Sequence, residues 1–252
     1  MTGAERLGYL GILVLIGAGW GLTNPLTKIA VSTGHGHFGL VFWQLVIGAV
    51  AMGTLSALQG RGLPLTRGAI ATYVIIALIG SVIPNSASYE AFRHLPSGVM
   101  SVLLSLIPMM AFPMALGLGL ERFSVRRLGG LSLGLVGVLL LVLPEASLPD
   151  PAMIVWIPLA LVAPLLYAFE GNYVARWGTA GVGPIRVLFG ASLVGAIIAA
   201  PLAIGSGQFI SPVRSYGPPE WALIASSLIH VSVYTGYVWL VGRTGPVFAV
   251  QV

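Results

Sequence analysis

Charged residues divide this chain into eight apolar stretches, at about 7–31, 37–58, 69–92, 96–118, 126–143, 152–175, 184–204 and 220–242. A hydrocarbon core of about 30 Å takes about 20 residues of helix to cross, and each stretch is near that length. With 57% of residues hydrophobic and 8% charged, a soluble fold could not cover its apolar side chains with polar surface. The spacing therefore predicts an all-α polytopic membrane protein. A ninth stretch opens near Gly245, and the sequence ends at Val252.

Two short patterns recur. Trp20-Gly-Leu-Thr-Asn24-Pro-Leu-Thr-Lys28 is echoed by Ala168-Phe-Glu-Gly-Asn172-Tyr-Val-Ala-Arg176, and Arg93-His-Leu-Pro96 by Arg243-Thr-Gly-Pro246, at offsets of 148 and 150 residues. The matching offsets predict one unit used twice, over 7–143 and 152–252. If each unit holds five spans, an odd number, the second copy lies upside down, as in the inverted repeats of secondary transporters. The expectation is a five-plus-five repeat truncated after about eight complete spans, with its last hairpin missing.

Nine of the 12 Lys and Arg fall in alternate loops if the N-terminus is cytoplasmic; Lys28, Arg93 and Arg214 are left on the other side. This is the positive-inside bias. It predicts a cytoplasmic N-terminus in a bacterial inner membrane and accounts for the net charge of +5 without nucleic acid. The apolar stretch after Arg6 lacks a small-residue cleavage site and reads as an uncleaved first span. Cysteine is absent, which excludes disulfides and thiolate metal sites. No phosphate-binding glycine loop, metal-ligand spacing or nucleophile triad is present, so catalytic residues, metal ligands and cofactors are all expected to be none.

Polar residues far from both interfaces carry the functional expectation. Ser227, His230, Tyr234 and Tyr237 recur along one face of the eighth span, with His230 about 15 Å of helix from Glu220. Ser81, Asn85, Ser88 and Tyr89 make a counterpart on the third, where Pro84 loosens the backbone. Two such stripes suit a cavity lining, since intramembrane polar groups face a bundle interior or a wet cavity. His230 reads either as a structural hydrogen-bonding residue or as a substrate contact or proton sensor. Glu170 reads either as an ion-pair partner of Arg176 or as a coupling carboxylate. Glu90, one turn from Arg93, reads as an interfacial salt bridge. Trp20 and Asn24 join the candidates from the first span; Asn24 and Asn172 also read as braces between helices. Pro25, Pro84, Pro108, Pro113, Pro158, Pro164 and Pro201 mark places where spans can bend.

At Gly119-Leu-Glu121-Arg-Phe-Ser124 and the following Leu128-Gly-Gly130-Leu-Ser-Leu-Gly134-Leu-Val-Gly137, the chain resembles the EamA-like transporters of the drug/metabolite transporter superfamily. Trp20-Gly21 with Asn24, and Leu95-Pro96-Ser97-Gly98-Val99, are similar to the same family. The resemblance implies a ten-helix inverted repeat with both termini cytoplasmic that moves small metabolites. Gln44 departs from it, standing where relatives often carry a basic residue; Arg186 fills the equivalent place in the seventh span. The substrate-binding candidates are thus His230, Tyr234, Ser227, Asn85, Tyr89, Trp20 and Asn24, with His230 and Glu170 as coupling candidates. The expected partners are the bilayer, a small polar or amphipathic molecule, protons and a second copy of the chain. The alternative is a non-transporting scaffold or truncated paralogue.

Overall fold

The computed structural model describes residues 3–142 and 150–244. Every regular element among them is helical, in eight columns. Helix α1 spans Gly3–Ala30 and α2 spans His37–Leu58. The third column joins α3 (Arg67–Ala77), a π-helical turn (Leu78–Val82) and α4 (Ile83–His94). The fourth joins α5 (Ser97–Leu104) to α6 (Ile107–Gly117), and the fifth is α7 (Val125–Val142). A 3-10 turn (Pro151–Trp156), α8 (Ile157–Ala160) and α9 (Val162–Trp177) form the sixth. Helices α10 (Pro184–Gly205) and α11 (Pro218–Thr244) complete the set. The columns fall on the eight apolar stretches, and six are long and apolar enough to cross a bilayer. Helix α11 has the length but carries Ser226, Ser227, His230, Ser232 and Thr235, whereas the apolar part of α7 runs only from Leu128 to Leu140. Leu15, Val50, Leu133, Leu140 and Ile197 stand exposed on the outside of the bundle, where lipid is their natural solvent.

Proline sets where the columns break. Pro84, Pro108 and Pro158 sit in the first two positions of α4, α6 and α8, and Pro164 lies in the first turn of α9. At Pro108, Pro158 and Pro164 a helix restarts, and its first N–H groups have no intrahelical acceptor, so proline there forfeits no bond; at Pro84 the column continues from the π turn, and the bond to the preceding turn is lost. Pro25, Pro113 and Pro201 are instead carried inside unbroken helices. The seven prolines thus divide into markers of real breaks and tolerated interior residues.

Small residues let the columns approach. Helices α2 and α10 pack along their lengths: Gly48 faces Ser192, Gly53 faces the Phe189 ring, and Gly195 faces Leu45. Gly190 of α10 lies flat on the ring of Tyr73 in α3. Helix α1 packs on α11, with Ile16, Val233 and Leu240 at the seam and Gly19 against Val233. Helix α9 packs against α4 and the π turn on one side and α6 on another. The largest core cluster, including Leu40, Tyr89, Phe92, Leu95 and Met100, binds α2, α4 and α5 together.

The bundle has two distinct ends. Gly68 at the start of α3 meets Ala180 of the loop after α9, which puts Arg67 and Arg176 at one end. Lys28 donates to the carbonyls of Phe92 (2.6 Å) and Leu95 (3.0 Å) at the finish of α4, which puts Lys28 and Arg93 at the other, termed distal here.

Candidate functional site

The third column supplies a built-in irregularity. Pro84 has no N–H to give the carbonyl of Gly80 one turn earlier, and the chain widens there into the π turn, with the Ile83 N–H bonding to the Leu78 carbonyl. Single π turns inside α-helices often accompany functional sites. Asn85 follows at once. Its Nδ2 donates to Gln44 Oε1 of α2 at 3.1 Å, and its Oδ1 accepts from the Tyr167 hydroxyl of α9 at 2.6 Å. One amide therefore ties three columns together. Tyr89, one turn further along α4, is buried with its phenol within electrostatic range of Tyr167.

Glu170 lies one turn beyond Tyr167 on α9. Its carboxylate rests against Gly80 in the π turn, where an added Cβ would come within 2.6 Å of the carboxyl carbon. Only glycine leaves that seat open. Among the described residues, Glu170 makes no hydrogen bond and no ion pair. The ion pair with Arg176 is not formed; Arg176, six residues on, is exposed at the helix end. By helical rise, Glu170 is about 10 Å of helix inside Trp177. Close by in α4, Ser86 Oγ is buried without a hydrogen-bond partner among the described residues.

The other sequence candidates are distributed differently. Asn24 Nδ2 donates to Ser101 Oγ of α5 at 2.8 Å, and Asn172 Nδ2 donates to the Ala111 carbonyl of α6 at 3.0 Å. Both asparagines brace the fourth column. Trp20 packs on the α1–α11 seam. Ser227 is buried and donates to the Leu223 carbonyl of its own helix at 2.7 Å, a back-bond that occupies its proton. His230 and Tyr234 are half-buried on α11, and among the described residues His230 has no hydrogen-bond partner. Tyr237 lies in a part of α11 whose side chains fall outside the described set. The structure thus gathers Asn85, Tyr89 and Glu170 around the π turn and leaves His230, Tyr234 and Ser227 on a separate helix held by α1 and α2. Tyr167, Gln44 and Gly80 were missed as site residues. Tyr167 had a readable signal, since it shares the Glu170 face at a spacing of three.

The distal end is polar in another way. Glu90 accepts from His37 (3.1 Å), Arg93 (3.0 Å) and His94 (3.3 Å), so the expected Glu90–Arg93 bridge is present within a larger cluster. His94 also stacks on Trp156 at 3.5 Å. Glu220 accepts from His35 (2.8 Å) and the Gly217 N–H (2.8 Å) and is ion-paired with Arg214 at 3.4 Å. A cavity of about 450 Å³ opens beside Lys28, Ser32, Arg93 and His94, and another of about 220 Å³ lies between Trp43, Ile210, Tyr216 and Glu220. Neither reaches the π-turn cluster.

A bundle of apolar columns with polar side chains joined across its middle is the architecture of an integral membrane protein. Residues 7–143 match the model of the EamA-like transporter family, more than half of the sequence, and the chain belongs to that family, within the drug/metabolite transporter superfamily. A solved crystal structure described simply as that of a protein superposes with a TM-score of 0.56 and 19% identity, over 95% of this chain and 87% of that one. At that identity the likeness is one of fold. No curated protein matches the chain.

Proposed function

We propose that this chain moves a small polar or amphipathic metabolite, of the amino acid, amine, nucleoside or drug-like kind, out of the cell by alternating access. The observation that carries the reading is the π-turn cluster: Gln44, Asn85 and Tyr167 bonded across three columns beside an unpartnered Glu170, in a chain of a transporter family. Buried polar groups without full satisfaction are costly in lipid, and a substrate that completes their bonds gives them a use. His230 and Tyr234, with Ser227, are a second contact surface on α11, and Trp20 and Asn24 flank it from α1. Protons are the coupling ion in this reading, taken up at Glu170 or His230.

The inverted repeat is the second part of the proposal. Under a two-fold in the membrane plane, the first column exchanges with the sixth, the second with the seventh and the third with the eighth. The α1–α11 seam then corresponds to the α9–α4 seam, and the α2–α10 pair maps onto itself. Lys28 and Arg176 at opposite ends of the bundle support this, as does the equal length of α2 and α10, 22 residues each. Reporter tags at 61–67 and 122–127 are expected in the cytoplasm, and tags at Pro149 and Ser215 outside, for a chain in the bacterial inner membrane with its N-terminus inside. A cytoplasmic tag at Pro149 would overturn the inverted arrangement.

Transport itself is tested by efflux from cells and proteoliposomes across a metabolite panel. His230→Ala and Tyr234→Phe are expected to lower flux at unchanged expression, the first more than the second. Flux of no compound by the folded protein would favour the scaffold reading.

A further inference from the structure

The two carboxylates of the distal end have basic partners. Glu90 holds two histidines and an arginine, and Glu220 holds a histidine and an arginine. Glu170 faces neighbours that, among the described residues, offer it no cation. The columns packed around it carry their charges at their ends: Arg67, Glu90, Arg93 and His94 on the third, His37 on the second, Arg176 on its own. The fourth carries none, and Arg186 of α10 lies beside Tyr73 near the end opposite Lys28. Arg93 is already committed to Glu90.

We infer that Glu170 is the charge-recognition point of the proposed transport site, and that the substrate is a singly charged organic cation, a protonated amine on a compact apolar body. The inference rests on the transport reading and narrows it. A partly buried carboxylate in an apolar bundle is stabilised by a counter-charge close at hand, and a ligand ammonium supplies one. The rest of the cluster suits the same guest. Tyr167, partly exposed and one turn from Glu170 on α9, supplies an aromatic ring of the kind that attracts a cation. Gln44 Oε1 and Asn85 Oδ1 are already engaged as acceptors, which leaves the carboxylate as the strongest acceptor available. Nothing in the cluster is cationic, so a ligand carboxylate or phosphate would meet Glu170 without a compensating partner. Like-charge contact of that kind is a strong device for rejecting the wrong partner. The seat at Gly80 gives the carboxyl group a resting place when no cation is bound.

The experiment uses three probes with the same phenyl body: phenethylamine as the cation, phenylalanine as the zwitterion and phenylpropionate as the anion. Binding is measured by calorimetry on the purified full chain in nanodiscs, and flux in proteoliposomes. The amine is expected to bind at least about tenfold more tightly than the other two, the scale of a desolvated ion pair. Glu170→Gln is expected to erase that preference, and Glu170→Asp, which keeps the charge, to retain it. Equal or tighter binding of phenylalanine or phenylpropionate overturns the inference, as does amine preference surviving in Glu170→Gln or absence of amine binding. Phenylalanine flux without amine preference would overturn the cation assignment and leave transport standing; no flux with any probe would count against both.

Discussion

The distal end and the π-turn cluster use the same residue types to opposite effect. At the distal end Glu90, Glu220 and Lys28 each hold several partners, so His35, His37, His94, Arg93 and Arg214 are drawn into contacts that join the α1–α2 loop to α4 and α11. At the π turn a carboxylate of equal charge is set against a glycine and left without a partner. The partly exposed pairs of Glu90 contribute about 0–1 kcal/mol each, and Glu220, though buried, is compensated by His35 and Arg214, whereas a partly buried charge with no compensating partner is a net cost. The first arrangement stabilises a fold and the second detracts from it. Satisfaction of charge thus separates the residues that hold the bundle from those available to a substrate.

The sharpest way to break that distinction is to neutralise Glu170. Glu170→Gln removes an unpaired, partly buried charge while preserving shape, so thermal stability in detergent is expected to stay level or rise. Transport of the substrate found by the efflux screen is expected to fall by about 10- to 100-fold, equivalent to about 1.4–2.7 kcal/mol of lost differential binding. Full transport with a lowered melting temperature would make Glu170 a structural residue like Glu90.

Two glycines sharpen the contrast. A Cβ at Gly39 would run into the backbone carbonyl of Gln208, which cannot retreat without moving the α10–α11 loop, whereas a Cβ at Gly80 meets the end of a flexible side chain. Gly39→Ala is therefore expected to destabilise by about 1–3 kcal/mol, the usual range for overpacking, as read from thermal or denaturant unfolding. Gly80→Ala is expected to cost under about 1 kcal/mol yet to reduce flux several-fold, because Glu170 is pushed from its seat. The reverse ranking in stability would show that the π turn, rather than the loop, is the rigid element.

Legibility in the sequence followed the same division. The eight columns were readable because lipid imposes a length on every apolar stretch, and charge clusters mark where each must end. Glu90–Arg93 was readable because a spacing of three on a helix fixes the partner. The brace role of Asn24 and Asn172 was readable from their repetition, but their shared target, the fourth column, was not. Asn85 and Tyr89 were found as a stripe on α4. Their partners Gln44 and Tyr167 come from other columns, and no periodicity within one helix announces a contact between helices. The glycines of α7 show the converse: Gly130, Gly134 and Gly137 lie at spacings of four and three that suit close helix approach, yet among the described residues only Gly134, against Met109, meets a neighbour. Gly80 was invisible for a similar reason, since nothing in a local window distinguishes a glycine that seats a carboxylate from one that faces lipid.

Returning to the distal end, Glu90→Gln tests whether its carboxylate matters as a hub. The amide keeps one acceptor for three donors and loses the charge that Arg93 faces, so a loss of about 1–2 kcal/mol is expected. That is more than an isolated surface pair, because three contacts are weakened together. Flux per folded molecule is expected to remain near wild type. A flux defect as large as that of Glu170→Gln would extend the transport machinery to the distal end.

The smallest expected effect isolates a single hydrogen bond. Trp43 of α2 donates its Nε1–H to the Ile210 carbonyl at 2.8 Å, while its ring packs with Phe42 and Phe209. Trp43→Phe keeps an aromatic ring in that cluster and removes the donor, leaving the carbonyl of a loop residue to find water at the interface. Such a bond contributes about 0.5–1.5 kcal/mol, and water access at the bundle end puts the cost toward the lower figure. The loop from Ser206 to Gly217 also rests on α2 through Gln208, whose Oε1 accepts from the Phe38 N–H at 3.0 Å, so one contact remains when the other is lost. Protease nicking of the loop is expected to quicken slightly in Trp43→Phe, with the melting temperature nearly unchanged. A fall in melting temperature as large as that of Gly39→Ala would mean that the distal end holds the bundle through this one bond, and that its ion-pair clusters are secondary to it.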